Sequence, residues 1–275
     1  MKVEKLTRKS HFFNEDRFVV GDNFFMVIDG ATSLMKTDLF NPTEGSWFVS
    51  FIKRRLSAKS KHVFEKLSNI SKQAYAEFCA VLDKNGLNPQ DLLYYPSAGL
   101  ALAEIVEDKV VINTIGDCEA VVKFKDGKTV RLVQKELLKL DAYALERMVK
   151  LKEQKGLTMK QAFTECKDVL VANRRLMNKP DGYNVFTVSK TGKFEFLTKS
   201  FELKDIDEIY LYTDGFAQTF EEFKIYGSYE QTFSKSLDIK SEVEKIVKTA
   251  FSDKDCEKYP RFKIIDDIAI IKMQF

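Results

Sequence analysis

The chain is poor in the residues that build cross-linked or zinc-held scaffolds: four cysteines, at 79, 118, 166 and 256, and two histidines in 275 residues. The cysteines are scattered with no paired spacing, which excludes a disulfide framework and fits reduced thiols in a cytosol. No Cys/His cluster is available to hold zinc. Long apolar runs are also missing. None approaches a membrane span, and Met1-Lys2-Val3-Glu4-Lys5-Leu6 lacks the apolar centre of a signal peptide. Neither sign of charge dominates, with 44 Lys+Arg against 41 Asp+Glu and a net charge of +3, so a nucleic-acid surface is not expected. No internal repeat or low-complexity tract is visible. These absences leave a cytoplasmic, monomeric protein without nucleic-acid or membrane partners, whose 44% hydrophobic content suffices for one large core or two small ones.

What the chain does have is a recurrent grammar. Phe24-Phe25-Met26-Val27-Ile28-Asp29-Gly30, Val110-Val111-Ile112-Asn113-Thr114-Ile115-Gly116-Asp117, Ile209-Tyr210-Leu211-Tyr212-Thr213-Asp214-Gly215 and Phe262-Lys263-Ile264-Ile265-Asp266-Asp267 are apolar runs ending in aspartate. Each reads as a buried strand. A further acidic pair, Glu15-Asp16, stands before Phe18-Val19-Val20. A single Asp-Gly after a strand is first of all a turn, as Asp126-Gly127 and Asp181-Gly182 are expected to be. The ordered set differs because its aspartates follow the most apolar runs, where an unpaired charge is costly. If those ends converge, six or seven carboxylates meet. Like charges that close stay ionised only with cations among them, and hard divalent ions with oxygen ligands are the natural candidates.

In order and spacing, Asn14-Glu15-Asp16, Ile28-Asp29-Gly30, Ser97-Ala98-Gly99, Ile115-Gly116-Asp117-Cys118, Tyr212-Thr213-Asp214-Gly215-Phe216 and Asp266-Asp267-Ile268-Ala269-Ile270 resemble the sequential motifs of the metal-dependent protein phosphatases of type 2C, from about residue 3 to the C-terminus. The resemblance implies that Asp29 bridges two Mn²⁺ or Mg²⁺ ions, with Glu15 and the Gly30 carbonyl on one, and Asp214 with Asp266 (or Asp267) on the other. It implies that Asp16 holds metal-bound waters and that Asp117, with Asp214, takes a third, weaker ion. The expected activity is hydrolysis of phosphoserine and phosphothreonine in a protein substrate, with a cognate Ser/Thr kinase as partner. Two other readings stay open: a small-molecule phosphomonoesterase on the same fold, and a catalytically silent binding module, against which the retained acidic set speaks.

The chain departs from the family pattern in three places. His11 stands where the family has a phosphate-binding arginine four residues before the motif glutamate. A neutral imidazole donates one hydrogen bond and not a bidentate fork, so Arg8 or Lys9 is an alternative, and a solvent-facing loop residue is the plain reading of His11. Ala31-Thr32 replaces a glycine-rich turn, and Cys118-Glu119 replaces a frequent Ser-Arg. Cys118 reads as a small buried residue and not a nucleophile.

The fold expected is a four-layer α/β/β/α sandwich of mainly antiparallel sheets, one domain over 1–275. Trp47–Leu56 and His62–Leu82 have helical apolar spacing, the second closed by Asn85-Gly86. Meanders are expected from Ser97 to Val133 and from Asn184 to Thr213, and helices at Ser241–Ala250 and Glu221–Tyr226. Between the meanders, residues 135–178 read as a helical hairpin where the family carries a variable flap: one helix to Gly156, then a second opened by a Thr158/Gln161 capping box. The Arg174-Arg175 pair at its end can grip phosphate or an acidic peptide, or can simply be a solvated helix terminus.

Overall fold

The computed structural model describes residues 1–10, 12–35 and 37–275. One sheet has the order β1 (Lys2–Arg8), β11 (Ile268–Gln274), β10 (Ile206–Tyr212), β6 (Glu119–Phe124), β7 (Thr129–Leu132). The other runs β2 (Arg17–Val20), β3 (Phe24–Ala31), β4 (Ser97–Val106), β5 (Lys109–Ile115), β9 (Leu197–Glu202), with the two-residue β8 (Phe186–Thr187) also on β4. Every strand pairing is antiparallel.

The central strands are apolar on both faces, which is what a sheet covered on both sides requires. Phe25 and Val27 of β3, with Ala101 and Ala103 of β4, point inward against Ala120, Val122, Ile209, Leu211 and Ile271 of the facing sheet. The alternate residues Phe24, Met26, Ile28, Leu100 and Leu102 face outward onto α1 (Glu44–Arg54) and α2 (Val63–Lys84), through Phe48, Phe51, Leu67 and Phe78. On the opposite side Tyr210, Tyr212, Ile268 and Ile270 pack under Val243, Ile246 and Ala250 of α8 (Ile239–Ser252). The period of two thus distributes each strand between two cores, and the expected four layers follow.

Local signals explain the helix ends. Thr43 Oγ1 accepts from Ser46 N to start α1, and Asp238 accepts from the amides of Lys240 and Ser241 to start α8. The first-turn amides of Val63 and Phe64 in α2 donate to the buried carboxylate of Glu104 on β4, at 2.7 and 3.0 Å. Gly86, at φ +70°, and a Leu87 N to Leu82 O bond close α2 as its Asn-Gly pair predicts.

The structure departs from the expected elements in five places. The Ser97–Val133 stretch holds four strands and not one meander, because the chain leaves one sheet after β5 and enters the other at β6. The Asn184–Thr213 meander does not form: β8, β9 and β10 pair with β4, β5 and β6/β11, and residues 188–196 contain no strand. Phe262–Asp267 is not a strand; the acidic pair precedes β11 and does not end a run. Glu221–Tyr226 is turn, and a short helix α7 (Tyr229–Thr232) follows it. The hairpin has three helices, α3 (Lys135–Lys155), α4 (Met159–Glu165) and α5 (Lys167–Arg174), since the chain bends at Cys166. Its Gly156 stop, at φ +65°, and its Thr158/Gln161 capping box are as read.

Candidate metal centre

Register places the acidic motifs at one end of both sheets. Asp29 faces Gly99 across β3 and β4, Ile115 at the end of β5 faces Leu100, and Arg17 at the start of β2 faces Ile28. In the other sheet Tyr212 at the end of β10 faces both Glu119 and Ile270. Gly116-Asp117-Cys118 is the bridge between the two edges, so the sheet crossing itself delivers Asp117 to the centre. Asp29, Asp117 and Asp214 each bring a carboxylate oxygen within 4.8 Å of the others. Two glycines make this approach possible. A Cβ on Gly99 would stand 2.2 Å from Asp117 Oδ1, and one on Gly215 would stand 1.9 Å from the Asp267 carbonyl oxygen.

The electrostatics of this cluster call for a cation. Burial pushes the carboxyls of Asp16, Asp29 and Asp214 well above the usual range, and their mutual repulsion adds to it. Asp117 is raised for the same reasons. Asp214 Oδ1 is buried without a hydrogen-bond partner. A protein amine answers part of the charge: Lys263 Nζ lies 2.5 Å from Asp266 Oδ1. Burial works against that ammonium, yet the attraction of Asp266, Asp214 and Asp29 outweighs it and raises its pKa. An all-carboxylate donor set with an orphaned oxygen fits Mg²⁺ or Mn²⁺ and not a soft metal.

The other expected site residues divide. Asp266 belongs to the cluster, since it raises the pKa of Asp16, Asp29, Asp117 and Asp214. Asp16 is buried against it, and its Oδ2 accepts from Thr213 Oγ1 at 2.6 Å. Gly30 pairs with Ala98 in the same strand end. The oxygens of Asp267 accept from Ser10 N, Ser10 Oγ and Glu15 N at 2.6–2.8 Å, so it ties the N-terminal loop to β11. Glu15 accepts from the hydroxyls of Thr32 and Thr43 at the start of α1, both on its Oε1. His11 lies outside the described residues. Cys118 is fully buried, and its thiol is pushed well up by burial and the neighbouring aspartates, as suits an inert residue.

Sequence reasoning missed Asp141. It stands on α3, its carboxyl is pushed up to about 7 by burial and then by Asp117, and it lines the cavities on both sides of that helix. Its only sequence signal was an acid inside an otherwise apolar-spaced helix. The cavity on one side, about 220 Å³, reaches Asp29 and Asp117. The larger one, about 650 Å³, reaches Asp117 and Asp214. The arginine pair also splits. Arg175 is exposed, whereas Arg174 turns inward toward β4.

Comparison with known proteins agrees with this geometry. The family model described as Protein phosphatase 2C matches residues 7–253, and the chain belongs to that family. By family it is a metal-dependent serine/threonine protein phosphatase working with Mn²⁺ or Mg²⁺. No curated protein sequence matches it. Among solved structures, its fold is similar to the serine/threonine phosphatase Stp1 from Staphylococcus aureus, with a TM-score of 0.56 and 15% identity over 100% of this chain and 94% of that one. It is similar to the Mycobacterium tuberculosis phosphatase PstP/Ppp, with a TM-score of 0.55 and 12% identity over 100% and 98%. The PstP catalytic domain solved with 2 manganese ions gives 0.54 and 11% over 98% and 96%.

Proposed function

We propose that Asp29, Asp214, Asp266 and the Gly30 carbonyl hold two Mn²⁺ or Mg²⁺ ions for hydrolysis of phosphoserine and phosphothreonine in proteins, and that Asp117 with Asp214 takes a third, weaker ion. Bound there, such ions activate a water near neutral pH and neutralise charge developing on the phosphoryl group. Asp29, with a carboxylate oxygen within 4.8 Å of those of Asp117 and Asp214, would be the ligand common to both ions. Asp16, oriented by the Thr213 hydroxyl, would accept hydrogen bonds from water bound to the ions and so position it. Thr213 is itself fixed by the Ala269 amide at 2.9 Å, so this acceptor is tied to the strand pair that also presents Asp214.

The observation that supports this most is the trio of carboxylates within 4.8 Å, one of them with an unpartnered buried oxygen. A cognate Ser/Thr kinase supplies the phosphoprotein, and the protein acts in signalling as a cytoplasmic monomer of one domain; four unpaired cysteines are compatible with a reducing compartment. With Mn²⁺ the protein is expected to hydrolyse p-nitrophenyl phosphate and phosphothreonine peptides, and EDTA to stop both. Asp29→Ala and Asp214→Ala are each expected to lower kcat by on the order of a thousandfold or more. A folded, metal-loaded preparation inactive on every phosphoester contradicts the reading, and turnover of a small phosphorylated molecule without any on phosphopeptides redirects it to that substrate class.

A further inference from the structure

Arg174 is the last residue of α5, and its guanidinium is turned into the body: Nη1 donates to Ser97 Oγ at 2.8 Å and Nη2 to the Thr32 carbonyl at 3.1 Å. Neither partner is charged. Among the described residues no carboxylate pairs with it, and Tyr183 is the one group whose charge would favour the cation, while burial disfavours it. Arg174 is half-buried, and even partial withdrawal of a guanidinium from water without an ion pair has a cost. Its position suggests what offsets that cost. Arg174 lines the cavity of about 220 Å³ together with Ser97, Asn173, Tyr183, Asp29 and Asp117. Ser97 faces Ala31 in the register, two residues along from the Asp29–Gly99 pair, so the anchor stands one strand across and two residues along from Asp29, roughly 8 Å away at the usual strand rise and spacing. Two of the five guanidinium N–H groups hold the anchor. The rest are left for the cavity.

We propose that Arg174 is an oxyanion-binding residue of this site, carried on the helical insertion, whose remaining N–H groups bind the phosphoryl oxygens of the substrate and of the orthophosphate product beside Asp29. This rests on the phosphomonoesterase reading above. It separates the two arginines at the end of the insertion: Arg174 reads the phosphoryl group common to all substrates, and Arg175 only what lies outside. The planar fork suits two phosphoryl oxygens at once, which an ammonium cannot match.

The test is a calorimetric titration of orthophosphate into the Mn²⁺-loaded protein, which needs no turnover, beside KM and kcat for p-nitrophenyl phosphate. Arg174→Gln is expected to weaken orthophosphate binding and to raise KM by about tenfold or more, the scale of one lost charge-assisted hydrogen bond. Mn²⁺ affinity is expected to stay as in the parent. Arg174→Lys keeps the charge and the fold but loses the fork, and is expected to recover part of the orthophosphate affinity. Orthophosphate binding unchanged in folded Arg174→Gln overturns the proposal, as does a parallel loss of Mn²⁺ affinity, which would make Arg174 a fastener of the insertion. A parent protein that binds orthophosphate yet hydrolyses no phosphoester counts instead against the phosphatase reading.

Discussion

Glu119 follows the bridge that carries Asp117, and it is fully buried, so its charge has to be answered inside the protein. Arg131 on the neighbouring strand answers it with Nε and Nη2 at 2.6 and 2.5 Å, and the Tyr212 hydroxyl donates to it at 2.8 Å. Burial still raises the Glu119 carboxyl, with Arg131 as the main opposing influence. Removing one member of a buried pair strands the other, so Arg131→Ala is expected to cost about 3–5 kcal/mol in urea unfolding. A cost below about 1 kcal/mol would mean that water reaches Glu119 in the variant. Asp29, Asp117, Asp214 and Asp266 were legible because each abuts an apolar run in a fixed order. Glu119–Arg131 was not, since it depends on the β6–β7 register. Asp267 and Glu15 were legible as acids but not as to their partners: Ser10 lies 257 residues from Asp267 in sequence, and Thr43 lies 28 from Glu15.

The insertion of α3, α4 and α5 has a small core of its own, in which Met148, Met159, Ala162 and Cys166 meet Cys256, with Phe163 edge-on to Phe262 at 6.2 Å. It is therefore fastened to the loop that precedes β11, the loop bearing Lys263 and Asp266. Just past α5, Arg175 and Lys179 are exposed and do not line the cavity that Arg174 lines, while Met177 between them is buried. Arg175→Glu with Lys179→Glu is expected to lower phosphoprotein turnover strongly and p-nitrophenyl phosphate turnover by no more than a few-fold, because rim charges steer a large partner and not a small one. Equal losses on both substrates would assign the end of the insertion to the fold or the metal site. The helices were legible from their caps and their 3.6-residue spacing. The bend at Cys166 was not, because no Gly or Pro marks it. Phe262–Asp267 misled in the opposite way: its apolar residues pack as a loop, Ile265 into the core under α8, without pairing to any strand.

For the whole molecule, the acidic end is a liability that metal removes. Asp141 and Glu222 are pushed up to about 7, chiefly by burial, and Asp16, Asp29 and Asp214 are raised well above the usual range. The folded state then binds protons that the unfolded chain has released, so the contribution of these groups to stability is present in full below about pH 4 and is lost as pH rises toward 7. The Tm of EDTA-treated protein is expected to drop across that window, and Mn²⁺ to raise Tm most at its upper end; a metal-free Tm that is flat or rising contradicts this. The four layers were legible because strands apolar on both faces need cover on both sides. Which strand lies in which sheet was not, because β5 and β6, consecutive in sequence, look like one hairpin until the crossing at Gly116–Cys118 is seen. That crossing brings the carboxylate-bearing ends of the two sheets together, and the proposed function stands on a metal centre there. Anomalous diffraction from a crystal soaked in Mn²⁺ tests it most directly. The predicted result is strong anomalous density within bonding distance of Asp29 and Asp214, displacing Lys263 from Asp266; a soaked crystal with Mn²⁺ bound elsewhere and none at Asp29 would contradict it.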